Sequence, residues 1–210
     1  MKVKIKVCGI SNEKSAKAAK DADFIGFVFY QKSPRFIDAL RAREISNVLQ
    51  DKQKKVGLFV NADMKVIQHI TEYVELDMIQ LHGKECIKEI IEIKQRLNIP
   101  VIKAISVSNA DDIRFSRKFE KCCDMILFDS KAKINDLPGG SGKSFDWNLL
   151  ANFKSDISWM LAGGLNIKNV KNAITETNAS IIDVSSGVEK KRGVKCEKKI
   201  KEFIEYVKKN

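Results

Sequence analysis

The sequence predicts an α/β fold, a single (β/α)8 barrel. Three observations carry that expectation: eight short β-type runs, helical patterns between them, and strand starts mostly about 20 to 25 residues apart, the rhythm of parallel βα repeats. An open doubly wound sheet would more often show fewer strands and a Gly-x-Gly-x-x-Gly first turn, and that turn is absent. A chain of 210 residues is within reach of one domain with a substantial core, so residues 1–210 are read as one barrel domain.

The first run, Val3–Cys8, sets Val3, Ile5 and Val7 against Lys4, Lys6 and Cys8, giving one apolar and one polar face. Gly9 follows, and Ser11-Asn12-Glu13 supplies capping residues for a helix. The later runs are Asp23–Phe29, Lys55–Val60, Asp77–Leu81, Pro100–Ile105, Asp124–Asp129, Ile157–Ala162 and Ser180–Ser185. The strand face that packs on helices must be apolar, so Lys6, Gln80, Lys103 and Asp183 are expected to point into the barrel, where they would form a buried polar network. On the same parity Cys8, His82, Asp129 and Ser185 are the last inward residues of their strands and should crowd one rim.

Two connections exceed the rest, Tyr30 to Ile37 after the second strand and Ser130 to Lys143 after the sixth. Both are strand-to-helix junctions, the side on which a barrel carries its chemistry. At the far end Ile200, Phe203, Ile204 and Val207 recur at helical spacing, so the dense basic run from Lys190 to Lys201 reads as the solvent face of a terminal helix.

Composition narrows the function. The formal charge of +11, from 38 Lys+Arg against 27 Asp+Glu, favours anionic partners. The basic residues are spread along the chain without an aromatic-plus-basic stripe, so nucleic-acid binding is not expected. No apolar run approaches the roughly 18 residues of a membrane span, and the N-terminus lacks a signal-peptide core. Cys8, Cys86, Cys122, Cys123 and Cys196 are odd in number and form no Cys-x-x-Cys pair, which points to a reducing cytoplasm rather than to disulfides or zinc. Only His69 and His82 are present, so acid–base chemistry must lean on carboxylates, thiols or lysines, and neither a metal nor a cofactor is expected. Monomer and homodimer are both compatible with the sequence.

The seventh strand ends in Ala162-Gly163-Gly164-Leu165 and the eighth in Asp183-Val184-Ser185-Ser186-Gly187. Backbone N–H groups and hydroxyls in those two slots commonly make a phosphate site, so Gly163, Gly164, Ser185, Ser186 and Gly187 are assigned to a phosphate ester. Gly139-Gly140-Ser141-Gly142-Lys143-Ser144 looks like a P-loop, yet Leu137 occupies the position where its first glycine belongs, so nucleoside triphosphate binding is rejected. A Gly-rich lid, with Gly140, Ser141 and Gly142 offering backbone donors to substrate, explains the segment better. Arg35, behind Pro34 in the first long connection, offers a planar fork suited to a carboxylate. A lone thiol such as Cys8 is ordinarily an inert small hydrophobe, and a strand-end carboxylate such as Asp129 is ordinarily a cap or an ion-pair partner. His82 is open between a core histidine and a contact to a reacting group.

Lys6-Val7-Cys8-Gly9-Ile10, Gly26–Tyr30 running to Ser33-Pro34-Arg35, Gln80-Leu81-His82-Gly83, Phe128-Asp129-Ser130, Gly139–Trp147, Ala162–Leu165 and Asp183–Glu189 together closely resemble the phosphoribosylanthranilate isomerases of tryptophan biosynthesis, in order and over nearly the whole chain. The resemblance implies a (β/α)8 barrel and an Amadori rearrangement of N-(5-phosphoribosyl)anthranilate, with Cys8 as general base, Asp129 as general acid and Arg35 on the anthranilate carboxylate. Val7, Ser11 and Gln31 depart from the family pattern, and Gln31 is expected to loosen the loop that carries Arg35.

Those residue types suit the chemistry. An aminoaldose needs its ring oxygen protonated before it opens to an iminium ion, and a neutral carboxylic acid can do this. A base then takes the proton from C2, and a thiolate serves where histidines are scarce. A free thiol titrates near ~8.5, so Cys8 needs positive charge nearby, and Lys6, one inward position earlier, is the candidate. Two other readings make distinct forecasts. A metal-dependent sugar-phosphate epimerase would lose activity on chelation, and a silent RNA-binding barrel would show steeply salt-dependent binding without turnover.

Overall fold

The computed structural model describes residues 3–131 and 144–209. Eight parallel strands close a barrel in chain order. They are β1 (Lys4–Cys8), β2 (Phe24–Val28), β3 (Lys54–Phe59), β4 (Met78–Leu81), β5 (Val101–Val107), β6 (Met125–Ser130), β7 (Ser158–Leu161) and β8 (Ile181–Val184). Closure runs through β1 and β8, with Lys4 opposite Ile181, Lys6 opposite Asp183 and Val7 opposite Val184.

Helices α1 (Glu13–Ala18), α2 (Ala39–Ser46), α3 (Met64–Val74), α4 (Ile87–Leu97) and α5 (Ala110–Ser116) follow the first five strands. Helix α6 (Val170–Thr177) follows β7, and α7 (Glu197–Lys209) ends the chain. Local chemistry sets their limits. The side chains of Asn12, Asp38, Asp63 and Asn109 accept backbone N–H groups in the first turns of α1, α2, α3 and α5, each such cap contributing about 1 kcal/mol. Glu75, Asn98 and Asn178 end α3, α4 and α6 in the left-handed conformation that frees the chain to turn back to the next strand.

The described part of the sixth connection departs from the expected repeat by carrying a 3-10 turn, Trp147–Leu150, instead of an α-helix. Aromatic packing covers the strand there: Phe153 and Trp159 meet Phe128 of β6 edge-on, with ring centroids at 5.0 and 5.9 Å.

Strand parity divides the core into two layers. Ile5, Val7, Ile25, Phe27, Ile79, Leu81, Ile126 and Phe128 face outward into one cluster with helix residues such as Ile45, Ile67, Ile90 and Ile200. Phe24, Val56, Met78, Ile102, Leu127, Met160 and Ile181 fill the interior. Full burial of each such side chain contributes about 1.5–3 kcal/mol. The interior above this plug is polar, because Lys6, Gln80 and Asp183 do point inward and stay buried.

Lys103 corrects the expectation of a fourth inward polar residue. Its neighbours Ile102 and Ala104 belong to the interior cluster, and Lys103 itself lies opposite outward-facing Ile126. Its ammonium sits 5.8 Å from the Phe119 ring centroid and bonds Glu85 Oε2 and the Gly83 carbonyl, each at 2.7 Å. A lysine is tolerated on the helix-facing side because its charge is paired there.

The basic run from Lys190 also differs from the expected helix face. Glu189–Lys191 (β9) and Val194–Lys195 (β10) form a two-stranded antiparallel ribbon, and α7 begins only at Glu197. The helix then buries Ile200, Phe203, Ile204 and Val207 as their spacing implies. Among the described residues, no helix is long and apolar enough to cross a membrane.

Candidate active site

The carboxyl ends of β1, β4, β6 and β8 bring Cys8, His82, Asp129 and Ser185 onto one cavity, which Arg35, Gln80 and Asp183 also line. Its volume is about 50 Å3. A roomier groove of about 570 Å3 lies at the opposite end, between α6 and α7, but its lining offers neither a carboxylate nor a thiol. The chemistry belongs to the smaller cavity.

Cys8 is buried at the end of β1, seated over Gly26 of β2; a Cβ on Gly26 would lie 3.0 Å from Cys8 Sγ. Burial pushes the Cys8 thiol above its ordinary value, and the nearby cations Lys6, Lys195 and Arg35 oppose that rise without cancelling it. Lys6 has no solvent exposure. Its Nζ donates to Gln80 Oε1 at 2.7 Å and lies 3.2 Å from Asp183 Oδ2. Burial disfavours the ammonium, but attraction to Asp183 and Cys8 outweighs it and holds Lys6 charged. The other Asp183 oxygen, Oδ1, is buried without a hydrogen-bond partner among the described residues.

Asp129 Oδ1 accepts the Ser130 backbone N–H at 2.8 Å, and Oδ2 lies 3.4 Å from His82 Nε2. The other ring nitrogen of His82, Nδ1, is 2.9 Å from Gln80 Nε2. Of the two roles left open for His82, the structure shows contact with Asp129.

Arg35 is carried to the rim by the connection after β2. Its Nε and Nη2 donate to Glu189 Oε1 and Oε2 at 2.7 and 3.0 Å, fixing the guanidinium plane. Glu189 also binds Lys195 Nζ at 2.9 Å. Burial would raise the Glu189 carboxyl, yet Arg35 and Lys195 hold it below its ordinary value. Burial lowers Lys195, a shift that Glu189 partly offsets. Sequence reasoning gave Glu189 and Lys195 no role. Glu189 lay inside a recognised stretch, whereas Lys195 had no signal to separate it from the surface lysines around it.

At the phosphate slot, Gly163 and Gly164 both adopt positive φ, +87° and +65°. Gly187 sits so close to the end of β7 that a Cβ on it would fall 2.0 Å from the Leu165 carbonyl oxygen. Ser186–Val188 forms a 3-10 turn. The two strand ends named for phosphate are therefore in contact. The Ser185 hydroxyl donates to the Cys8 carbonyl at 3.1 Å and accepts from Lys195 Nζ at 3.1 Å. Gly140, Ser141 and Gly142 lie outside the described residues.

Comparison with known proteins gives a consistent result. Residues 5–206 match the family model described as N-(5'-phosphoribosyl)anthranilate (PRA) isomerase. An N-(5'-phosphoribosyl)anthranilate isomerase from Paracoccus denitrificans is 42% identical over 207 residues, covering 97% of this chain and 96% of its own. The crystal structure of the phosphoribosyl anthranilate isomerase from Thermotoga maritima superposes with a TM-score of 0.90 at 40% identity, over 99% of this chain and 100% of the other. A phosphoribosyl anthranilate isomerase crystallised with reduced 1-(o-carboxyphenylamino)-1-deoxyribulose 5-phosphate gives a TM-score of 0.85 at 37% identity, over 99% and 100% of the two chains.

Proposed function

Since the chain belongs to the N-(5'-phosphoribosyl)anthranilate isomerase family, we propose that Cys8 is the general base and Asp129 the general acid of its reaction. The protein is an aldose–ketose isomerase of tryptophan biosynthesis. It converts N-(5-phosphoribosyl)anthranilate to 1-(2-carboxyphenylamino)-1-deoxyribulose 5-phosphate by an Amadori rearrangement.

In the proposed sequence of steps, Asp129 protonates the ribose ring oxygen and the ring opens to an iminium ion. The Cys8 thiolate then removes the proton from C2, giving an enolamine that tautomerises to the ketone. Arg35, braced by Glu189, receives the anthranilate carboxylate, and the ends of β7 and β8 receive the phosphate through Gly163, Gly164, Ser185, Ser186 and Gly187. Gly140, Ser141 and Gly142 are proposed to close over the substrate. The orphan Oδ1 of Asp183 gives a sugar hydroxyl a buried acceptor, since an unsatisfied buried oxygen is costly until a donor arrives. No step requires a cofactor.

One observation carries this reading: a buried thiol, a carboxyl and a braced guanidinium line one cavity at the carboxyl ends of the strands. All of these residues come from one chain, so a monomer or a homodimer would serve equally. A reducing cytoplasm suits an enzyme whose five cysteines, Cys8 among them, are unpaired. The test is the loss of N-(5-phosphoribosyl)anthranilate fluorescence on adding the protein, with Cys8→Ala beside it. Decay that the substitution abolishes supports the assignment, and decay that survives it removes Cys8 from the mechanism.

A further inference from the structure

We propose that Gln80 is a positioning residue that fixes His82 as its neutral Nε2–H tautomer and so aims a hydrogen-bond donor at Asp129. Lys6, Gln80, His82 and Asp129 form one buried row in which each donor must meet an acceptor. Lys6 Nζ can only donate, so the Gln80 atom 2.7 Å from it must be the amide oxygen. That fixes the amide rotation, and the Gln80 NH2 faces His82 Nδ1 at 2.9 Å. A donor at that distance requires Nδ1 to be an unprotonated acceptor. In the neutral ring the proton then resides on Nε2, which lies 3.4 Å from Asp129 Oδ2. This distance is long for a hydrogen bond, and such contacts commonly tighten when substrate binds.

The inference rests on Asp129 being the general acid. When Asp129 gives its proton to the ribose ring oxygen, it becomes a carboxylate, and the waiting Nε2–H stabilises that new charge without transferring a proton itself. A His82 with its proton on Nδ1 would instead turn a lone pair toward the carboxylate. The Lys6 ammonium that orients Gln80 also favours the thiolate of Cys8. One buried cation therefore serves the acid through Gln80 and His82, and the base directly. The charged or titratable groups facing His82 are Asp129 on β6 and Asp183 on β8, with Lys6 on β1 acting through Gln80.

The test is a ring 15N NMR spectrum of the wild-type protein labelled at histidine. Only two histidines are present, and His69 is exposed on α3, so a His69→Gln spectrum assigns His82. The expected result at neutral pH is a pyrrole-type Nε2 and a pyridine-type Nδ1. A pyrrole-type Nδ1, or protonation of both nitrogens, would overturn the proposal without touching the isomerase reading. Gln80→Glu replaces the donor by a second acceptor and should convert Nδ1 to the protonated type. It should also lower kcat by about tenfold to a hundredfold, less than the roughly 10²–10⁴ expected of the acid itself, with KM within about twofold. A converted tautomer with unchanged kcat would overturn the positioning role. If Asp129→Asn proved fully active, the acid assignment would fail and the positioning role with it, while the wild-type spectrum would still report the tautomer.

Discussion

Cys8 and Asp129 carry the most direct forecasts at the scale of single residues. Cys8→Ser and Asp129→Asn should each lower kcat/KM by roughly 10²–10⁴ while leaving the thermal unfolding midpoint close to wild type, read by fluorescence turnover and circular dichroism. The raised Cys8 value fixes the direction of the pH dependence. The thiolate is the minor form at neutral pH, so alkylation of Cys8 in the substrate-free protein should be slow there, speed up as pH rises toward the thiol's value and level off above it. An alkylation rate already level at neutral pH would argue against a raised thiol. Glu189 is a different case, because its role is to brace. Glu189→Gln leaves Arg35 and Lys195 as buried cations without their carboxylate, a type of change that costs about 3–5 kcal/mol, visible as a lower denaturant midpoint and a raised KM. Since the Glu189 value is lowered on folding, its contribution is present in full above the unfolded carboxyl's value. It is lost as pH falls through the lower folded value, so the gap between wild type and Glu189→Gln should shrink in acid.

The connections after β1 and β2 form one device at the scale of elements. Gly9 adopts φ +79°, and a Cβ placed there would lie 2.8 Å from Arg35 Cδ. The turn that ends β1 thus supports the stem of the arginine delivered by the loop after β2. Gly9→Ala combines a left-handed backbone with a clash and should cost about 1–3 kcal/mol. Its KM should rise more than its kcat falls, because Arg35 moves while Cys8 and Asp129 keep their strands. Steady-state kinetics beside urea denaturation would separate the two effects. The β9–β10 ribbon is the matching device on the other side, supplying Glu189 and Lys195 to the same buried cluster.

Closure and charge are properties of the whole molecule. The barrel is completed by β8 pairing back to β1, so truncation before Ile181 would leave open edges on β1 and β7 and expose the interior plug. Such a chain should lose cooperative unfolding, measured by calorimetry. The net charge of +11 should steer an anionic phosphorylated substrate. Because screening shortens that reach to about 10 Å at 0.1 M salt, kcat/KM should fall several-fold from low to high ionic strength, mainly through KM, while kcat stays nearly constant.

The sequence by itself determined the strands, the cap of the first helix and the rim. A strand has a period of two, so one apolar face reveals which residues are left for the other, and Cys8, His82 and Asp129 could be placed from alternation alone. That rule failed at Lys103, because alternation cannot tell an inward polar residue from an outward one whose charge is paired; the partner Glu85 is on another element. Only the tertiary structure decided the contacts between distant segments. Arg35 and Glu189 are 154 positions apart, and Lys6 and Gln80 are 74 apart. Pairing over such separations is fixed by barrel closure and shared burial, which no local pattern records. The residues of the rim were therefore legible in the sequence, whereas the groups that pair with them and brace them appeared only when the barrel closed.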